Sequence, residues 1–168
     1  MKRIIQFACL LIFTSSCGQS PDFVKDNYNK TDTTITMRNG IKLYTIIYVP
    51  KDQSHKYPFL IERTPYSVAP YGDNNYAKRL GPNESLMHEK YIFVYQDVRG
   101  RYMSEGHNKE VTPFIANKKN NKDVDESSDT YDTMDWLLKN ILIIMAVRGC
   151  MEFPILDFIF SRAIFPDM

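Results

Sequence analysis

Apolar positions in this chain alternate first and take up helical spacing only later. In Thr33–Pro50, TTITMRNGIKLYTIIYVP, two β-prone runs flank Asn39-Gly40. That pair supplies the positive φ angles of a tight turn, so a β-hairpin is predicted. Tyr57–Ile61 and Tyr91–Gln96 are short apolar runs of the kind that become strands buried on both faces. Between them, Asn74–Lys90 predicts a helix interrupted by Gly81-Pro82 and restarted near Asn83. A second helix lies within Asp125–Asn140: Ser127 or Ser128 caps it, acidic residues fill its first turns, and Tyr131, Met134, Leu137 and Leu138 form an apolar stripe. Trp136 lies close to that stripe, and Lys139 stands at the end where the helix dipole favours a cation. The order hairpin, strand, helix, strand, helix is that of an α/β sheet.

The flanks carry other signals. Met1–Cys17 combines Lys2 and Arg3 with the apolar run IIQFACLLIF and small residues before Cys17, the layout of an export signal rather than of a spanning helix. Its Thr14-Ser15-Ser16-Cys17 ending resembles a bacterial lipobox, which implies lipidation of Cys17 and a membrane-anchored protein on the periplasmic or cell-surface side. Residues 18–30 are polar, hold Pro21 and several Asn and Asp, and read as a tether to a fold beginning at residue 31.

Composition narrows the chemistry. The three cysteines are Cys9 and Cys17 in the signal and Cys150 near the end, so the body offers neither a disulfide framework nor a cysteine metal site. His55, His88 and His107 are scattered, and no zinc, calcium or phosphate-loop spacing occurs, so no metal or cofactor is expected. Lys and Arg number 21 against 20 acidic residues, a formal charge of +1 without a basic run among aromatics. Nucleic acid is therefore not an expected partner. The acidic residues of Asp125–Asn140 read as a solvated, capping face rather than a catalytic pair.

Residues 141–168 read poorly in their own frame. The segment is apolar, but its Cys, Pro and charges follow no helical period, and Arg148, Glu152, Asp157 and Arg162 make it a poor membrane span. Reading the codons of Met151–Phe158 from the third base permits GISYPGF, and the same slip over Met145–Cys150 permits GRAGLY. The joined text holds G-x-S-Y-x-G, which resembles the nucleophile elbow in which a serine hydroxyl stands above a sheet on a strained turn. One nucleotide lost just after Ile141 would produce the whole tail, which is accordingly expected to be out of frame.

Three motifs remain: IERTPYS at Ile61–Ser67, QDVRGRYMSEG at Gln96–Gly106, and DESSDTYDTMDWLLKN at Asp125–Asn140. In type, order and spacing they resemble the X-prolyl dipeptidyl-peptidase and cocaine-esterase (CocE/NonD) hydrolase family, where they precede the text hidden in the slipped tail. The resemblance implies an α/β-hydrolase that cleaves peptide or ester bonds through an acyl-serine, without a cofactor. It identifies residues 31–140 as the N-terminal half of the catalytic domain, truncated before the nucleophile strand. Tyr66 corresponds to the family's oxyanion-hole tyrosine, a donor suited to the charge of a tetrahedral intermediate. Asp97, Arg99 and Arg101 border the cleft and are expected to staple a loop, Asp97 to an arginine. The nucleophile, acid and base are absent, none of the three histidines matching the family's base. The expectation is an inactive fragment with an unpaired apolar edge beside Tyr57–Arg63. The alternative is a small lipid-anchored binding or structural protein, complete as it stands. The family's partner would be a peptide or small-molecule substrate; the residues do not fix an oligomeric state.

Overall fold

The computed structural model describes residues 23–107 and 112–150. The signal with Cys17, and the slipped text from Met151 onward, lie outside the described residues. The predicted hairpin is present: β1 (Tyr28–Thr36) and β2 (Lys42–Pro50) pair antiparallel in unbroken register from Tyr28↔Pro50 to Thr36↔Lys42. Its connection runs from Met37 to Ile41 and is closed by Met37 N–H to Ile41 O and Gly40 N–H to Met37 O, both 2.8 Å. Of Asn39 and Gly40, only Gly40 takes a positive φ, 86°. The longer connection needs one left-handed residue where a two-residue turn would need two.

The polar tether is shorter than the sequence predicted. Residues 23–27 form a single helical turn, α1 (Phe23–Asn27), and β1 begins at Tyr28, which is fully buried. The polar composition concealed the first three residues of a strand whose charges are paired instead of solvated. The buried Lys30 ammonium meets Asp32 at 2.7 Å and the carbonyls of Pro70 and Gly72 at 2.9 and 2.7 Å.

The two apolar runs become β3 (Tyr57–Thr64) and β4 (Ile92–Asp97), and the sheet order is β1-β2-β4-β3-β5. β2 meets β4 antiparallel, whereas β4, β3 and β5 (Ile144–Cys150) run parallel. The edge of β3 expected to stay open is thus paired: Tyr57 N–H donates to Ile143 O at 2.8 Å, and the backbone ladder continues to Ile61↔Cys150.

Alternation along the strands feeds a core on each face. Ile47, Phe59, Ile61, Ile92 and Val94 point toward α3 (Glu126–Asn140) and pack with its Met134 and Leu137. Ile46, Tyr48 and Phe93 point the other way, toward Val24, Val68, Leu80 and Met87. Of the helix expected over Asn74–Lys90, only α2 (Glu84–His88) forms, capped by Asn83, whose side chain accepts from Leu86 N–H at 3.2 Å. Upstream, tertiary partners take the backbone donors a helix would use. Ala77 N–H goes to the Tyr48 hydroxyl (3.2 Å), Leu80 N–H to Met87 Sδ (3.1 Å) and Gly81 N–H to the Tyr95 hydroxyl (2.8 Å).

α3 departs from its predicted stripe. Its cap is Asp125, not Ser127 or Ser128, and Asp125 and Ser128 form a reciprocal capping box. The buried face runs Thr130, Thr133, Met134, Leu137, while Tyr131 and Leu138 are exposed. Polar residues can face the sheet because the sheet is polar beneath them. Thr45, Gln96 and Arg63 are register neighbours on β2, β4 and β3. Gln96 Nε2 donates to the hydroxyls of Thr45 (2.9 Å) and Thr133 (3.0 Å). Arg63 donates to Gln96 Oε1 (2.7 Å), Thr130 Oγ1 (2.9 Å) and the Glu126 carboxylate (2.8 Å).

Two adjacent leucines test this orientation. Leu137→Ala should destabilise by about 2–5 kcal/mol, as a cavity-forming substitution, and Leu138→Ala by less than about 1 kcal/mol, as an exposed one. Urea unfolding of the two variants decides the matter, and equal losses would refute the assigned face.

Candidate active site

The parallel strands β3 and β4 end level with one another, at the register pair Thr64↔Asp97. Ligands of α/β sheets bind outside such carboxyl ends, where loops diverge and helix N-termini gather. Tyr66 stands there, two residues beyond β3. Its backbone N–H donates to Thr64 Oγ1 at 3.0 Å, and the residue is 71% exposed. Its position suits a donor presented to a ligand, since its ring serves no core.

Asp97 holds the loop that carries Tyr66. Fully buried at the end of β4, its carboxylate accepts from Val68 N–H (3.2 Å), the Tyr71 hydroxyl (2.9 Å) and Met103 N–H (3.3 Å). One side chain therefore joins the loop after β3 to the loop after β4. Burial pushes its pKa above the ordinary carboxylate range, and the three donors only partly offset that. The expected pairing of Asp97 with an arginine does not occur. Asp97 takes backbone and phenol donors, and Arg99 turns instead to Asp129 on α3, with Nη2 and Nε at 2.6 and 3.0 Å from the two carboxylate oxygens. Arg101 Nε is buried without a hydrogen-bond partner among the described residues.

The loop after β4 is knitted to itself and to β2. Ser104 Oγ donates to Asp97 O (2.7 Å) and accepts from Tyr44 N–H (2.8 Å). Glu105 exchanges backbone and side-chain bonds with Lys42, Glu105 N–H to Lys42 O at 2.9 Å and Lys42 N–H to Glu105 Oε2 at 3.0 Å. Gly106, at φ 100°, leaves room for Arg99, since a Cβ there would stand 2.9 Å from Arg99 Cγ.

The acidic residues of α3 are structural: Asp125 caps the helix and Asp135 stays partly exposed, as predicted of a solvated, capping face, but Asp129 and Asp132 are paired with arginines instead of solvated. Asp129 is 1% exposed between Arg99 and Arg63, and Asp132 binds the Arg38 guanidinium with both oxygens. Burial raises the Asp125 pKa, but Ile115 N–H, the Lys118 ammonium and Ser128 N–H outweigh it and hold the carboxyl below its usual range. Three arginines and a lysine from outside the helix supply the compensation that solvent was expected to give.

The histidines lie elsewhere. His88 ends α2 with its ring against Phe23, 4.7 Å between centroids, and His107 is exposed beyond the β4 loop. His55 does meet a serine and an aspartate: Ser54 Oγ is 2.7 Å from His55 Nδ1 and 2.6 Å from Asp52 Oδ1. The carboxylate touches the serine, however, and so cannot orient the imidazole as a relay requires. The trio also sits before β3, at the opposite end of the sheet from Tyr66. Among the described residues no cluster of three or more His, Cys, Asp or Glu could hold a metal ion.

Comparison with known proteins shows what the chain as a whole resembles. An aminopeptidase from the marine sediment archaeon Thaumarchaeota archaeon is 37% identical, with a TM-score of 0.59 over 75% of this chain and 21% of its own. An α-amino acid ester hydrolase is 35% identical, with a TM-score of 0.58 over 70% of this chain and 20% of its own. A CocE/NonD family hydrolase from Staphylococcus aureus is 21% identical, with a TM-score of 0.38 over 62% of this chain and 19% of its own. The chain thus spans about a fifth of the length of these solved proteins. No curated protein matches it. The model of the X-Pro dipeptidyl-peptidase (S15) family matches residues 39–147, taking in β2, β3 and β4 with their loops and all of α3. A match over that much of the chain places it in the X-Pro dipeptidyl-peptidase (S15) family.

Proposed function

We propose that this chain is the N-terminal part of the catalytic domain of an exported serine hydrolase that cleaves peptide or ester bonds, with Tyr66 as an oxyanion-hole donor. The observation that carries the reading is Tyr66 itself: an exposed phenol at the carboxyl end of the parallel strands, on a loop fixed by the buried Asp97. A donor held in place before the reaction stabilises the developing oxyanion without reorganising, which is where such a group contributes most. The aminopeptidase and ester-hydrolase character of the two relatives supports bond cleavage of this class.

On this reading the nucleophile belongs to the slipped text, and hydrolysis requires the repaired frame. The pairing of β5 with β3 favours a second reading, a self-contained domain without catalysis, because it covers the edge that a fragment would leave open. Sequencing the encoding DNA past the codons for Trp136 separates the two. A long slipped frame reading GxSYxG is expected, and the protein it encodes should hydrolyse p-nitrophenyl acetate. There Tyr66→Phe should lower kcat about 100- to 1,000-fold, the loss seen for one oxyanion donor. A closed slipped frame, or hydrolysis by the extended protein that Tyr66→Phe leaves unaltered, would defeat the proposal.

The same reading places the protein on a membrane through a lipid on Cys17. Growth with an alkyne-bearing palmitate should label the wild-type chain and leave Cys17→Ser unlabelled, and equal labelling would exclude the anchor.

Asp97 gives the loops a pH signature. Its folded-state pKa is raised, so its contribution to stability is complete below the ordinary carboxylate range and is lost as pH rises through the raised value. Asp97→Asn removes that titration and offers one acceptor oxygen where three donors converge. The change in urea midpoint from about pH 4 to about pH 7 should shrink in the variant, and an unchanged profile would contradict the assignment.

A further inference from the structure

Two side chains at the tip of the β4 loop lack a structural purpose. Tyr102 is 60% exposed and Met103 55% exposed, on the same edge of the sheet as Tyr66. Tyr102 also has a φ of 45°, in the left-handed region that a bulky residue seldom adopts. The tip is not slack. Arg101 N–H bonds Val98 O (3.0 Å), Ser104 N–H bonds Arg101 O (2.9 Å), Gly100 N–H bonds Glu105 O (2.9 Å), and Met103 N–H reaches Asp97. Glycine would occupy position 102 without strain, yet this loop keeps an aromatic ring there and directs it outward. Strain held by an over-determined loop is characteristic of ligand-contacting positions, and a rigid aromatic loses little entropy on binding.

We propose that Tyr102 and Met103 form a wall of the substrate crevice that receives an apolar side chain or acyl group of the substrate. The proposal rests on the reading of the Tyr66 edge as the substrate side. Its test uses the full chain, isotope-labelled at the methionine methyls and tyrosine rings, titrated with N-acetyl-phenylalanine methyl ester and N-acetyl-alanine methyl ester. The Met103 methyl signal should move with the phenylalanine ester at concentrations where the alanine ester leaves it still. Tyr102→Gly should weaken that titration about tenfold while raising the thermal midpoint, because it removes the ring and the backbone strain together. Tyr102→Asn, which tolerates the same backbone conformation, carries the same expectation for binding, and Tyr102→Phe should bind as wild type.

A silent Met103 methyl, or a Tyr102→Gly chain that gains stability and binds unchanged, would overturn the wall. The Tyr66 reading fails separately: a Tyr66 ring signal unmoved while Met103 shifts would count against Tyr66 and leave the wall standing.

Discussion

The row of polar groups across the sheet under α3, Thr45 to Gln96 to Arg63, is the constraint on which the rest of this structure depends. A guanidinium with only 4% of its side chain exposed cannot remain there unpaired. Its partners, Glu126, Thr130 and Asp129, all lie in the first turns of α3. Removing one partner of such a pair costs about 3–5 kcal/mol, whereas replacing the whole set with well-packed apolar groups is often neutral. The row therefore contributes register more than bulk stability: the rotation and axial position of α3 are those that pair Arg63 Nη1 by hydrogen bonds, as Gln96 pairs Nε, and leave Nη2 to a 3.8 Å ion pair with Asp129.

From that position the constraint reaches the candidate site. Asp129 is shared, touching Arg63 below and Arg99 beside it. Arg99 belongs to the loop after β4, and that loop contributes Met103 N–H to Asp97, which also holds the loop of Tyr66. A shift of α3 would be passed on to Tyr66 through hydrogen bonds that each have one good geometry. A chain of buried polar contacts fixes the position of a loop more closely than an apolar contact with several near-equivalent packings, which is what the proposed role of Tyr66 would require.

Much of this was legible in the sequence where burial is two-sided or a turn residue is diagnostic. The runs of β2, β3 and β4 are apolar on both faces, and Gly40 supplies the positive φ of the turn. Legibility failed where polar residues are buried against each other. The charged Lys30 disguised the first three residues of β1 as tether, and Thr130 and Thr133 displaced Tyr131 and Leu138 from the expected stripe of α3. A serine was expected as the cap of α3, but Asp125 takes that place because its carboxylate binds Ser128 N–H, Ile115 N–H and Lys118 together. Tyr66 was found through family motifs. Asp97 was expected to fix its loop, but with an arginine; its partners are two backbone N–H groups and the Tyr71 hydroxyl, and backbone donors leave no trace in side-chain patterns.

The two ends of the sheet show why residue identity alone does not locate chemistry. At the amino end of β3, Asp52, Ser54 and His55 reproduce the composition of a catalytic triad within four residues, yet the carboxylate reaches the serine and all three serve a turn. At the carboxyl end no such trio occurs among the described residues, and the features that point to function are a buried carboxylate without a cation, a strained tyrosine and an exposed one. Each of these costs stability that a purely structural edge would not need to spend: Asp97 in desolvation, Tyr102 in backbone strain, and Tyr66 in an aromatic surface left in water. Costs concentrated on one edge, and met by ordered bonding in the two loops that bear them, are what the proposed substrate edge requires and what the turn at the other end lacks.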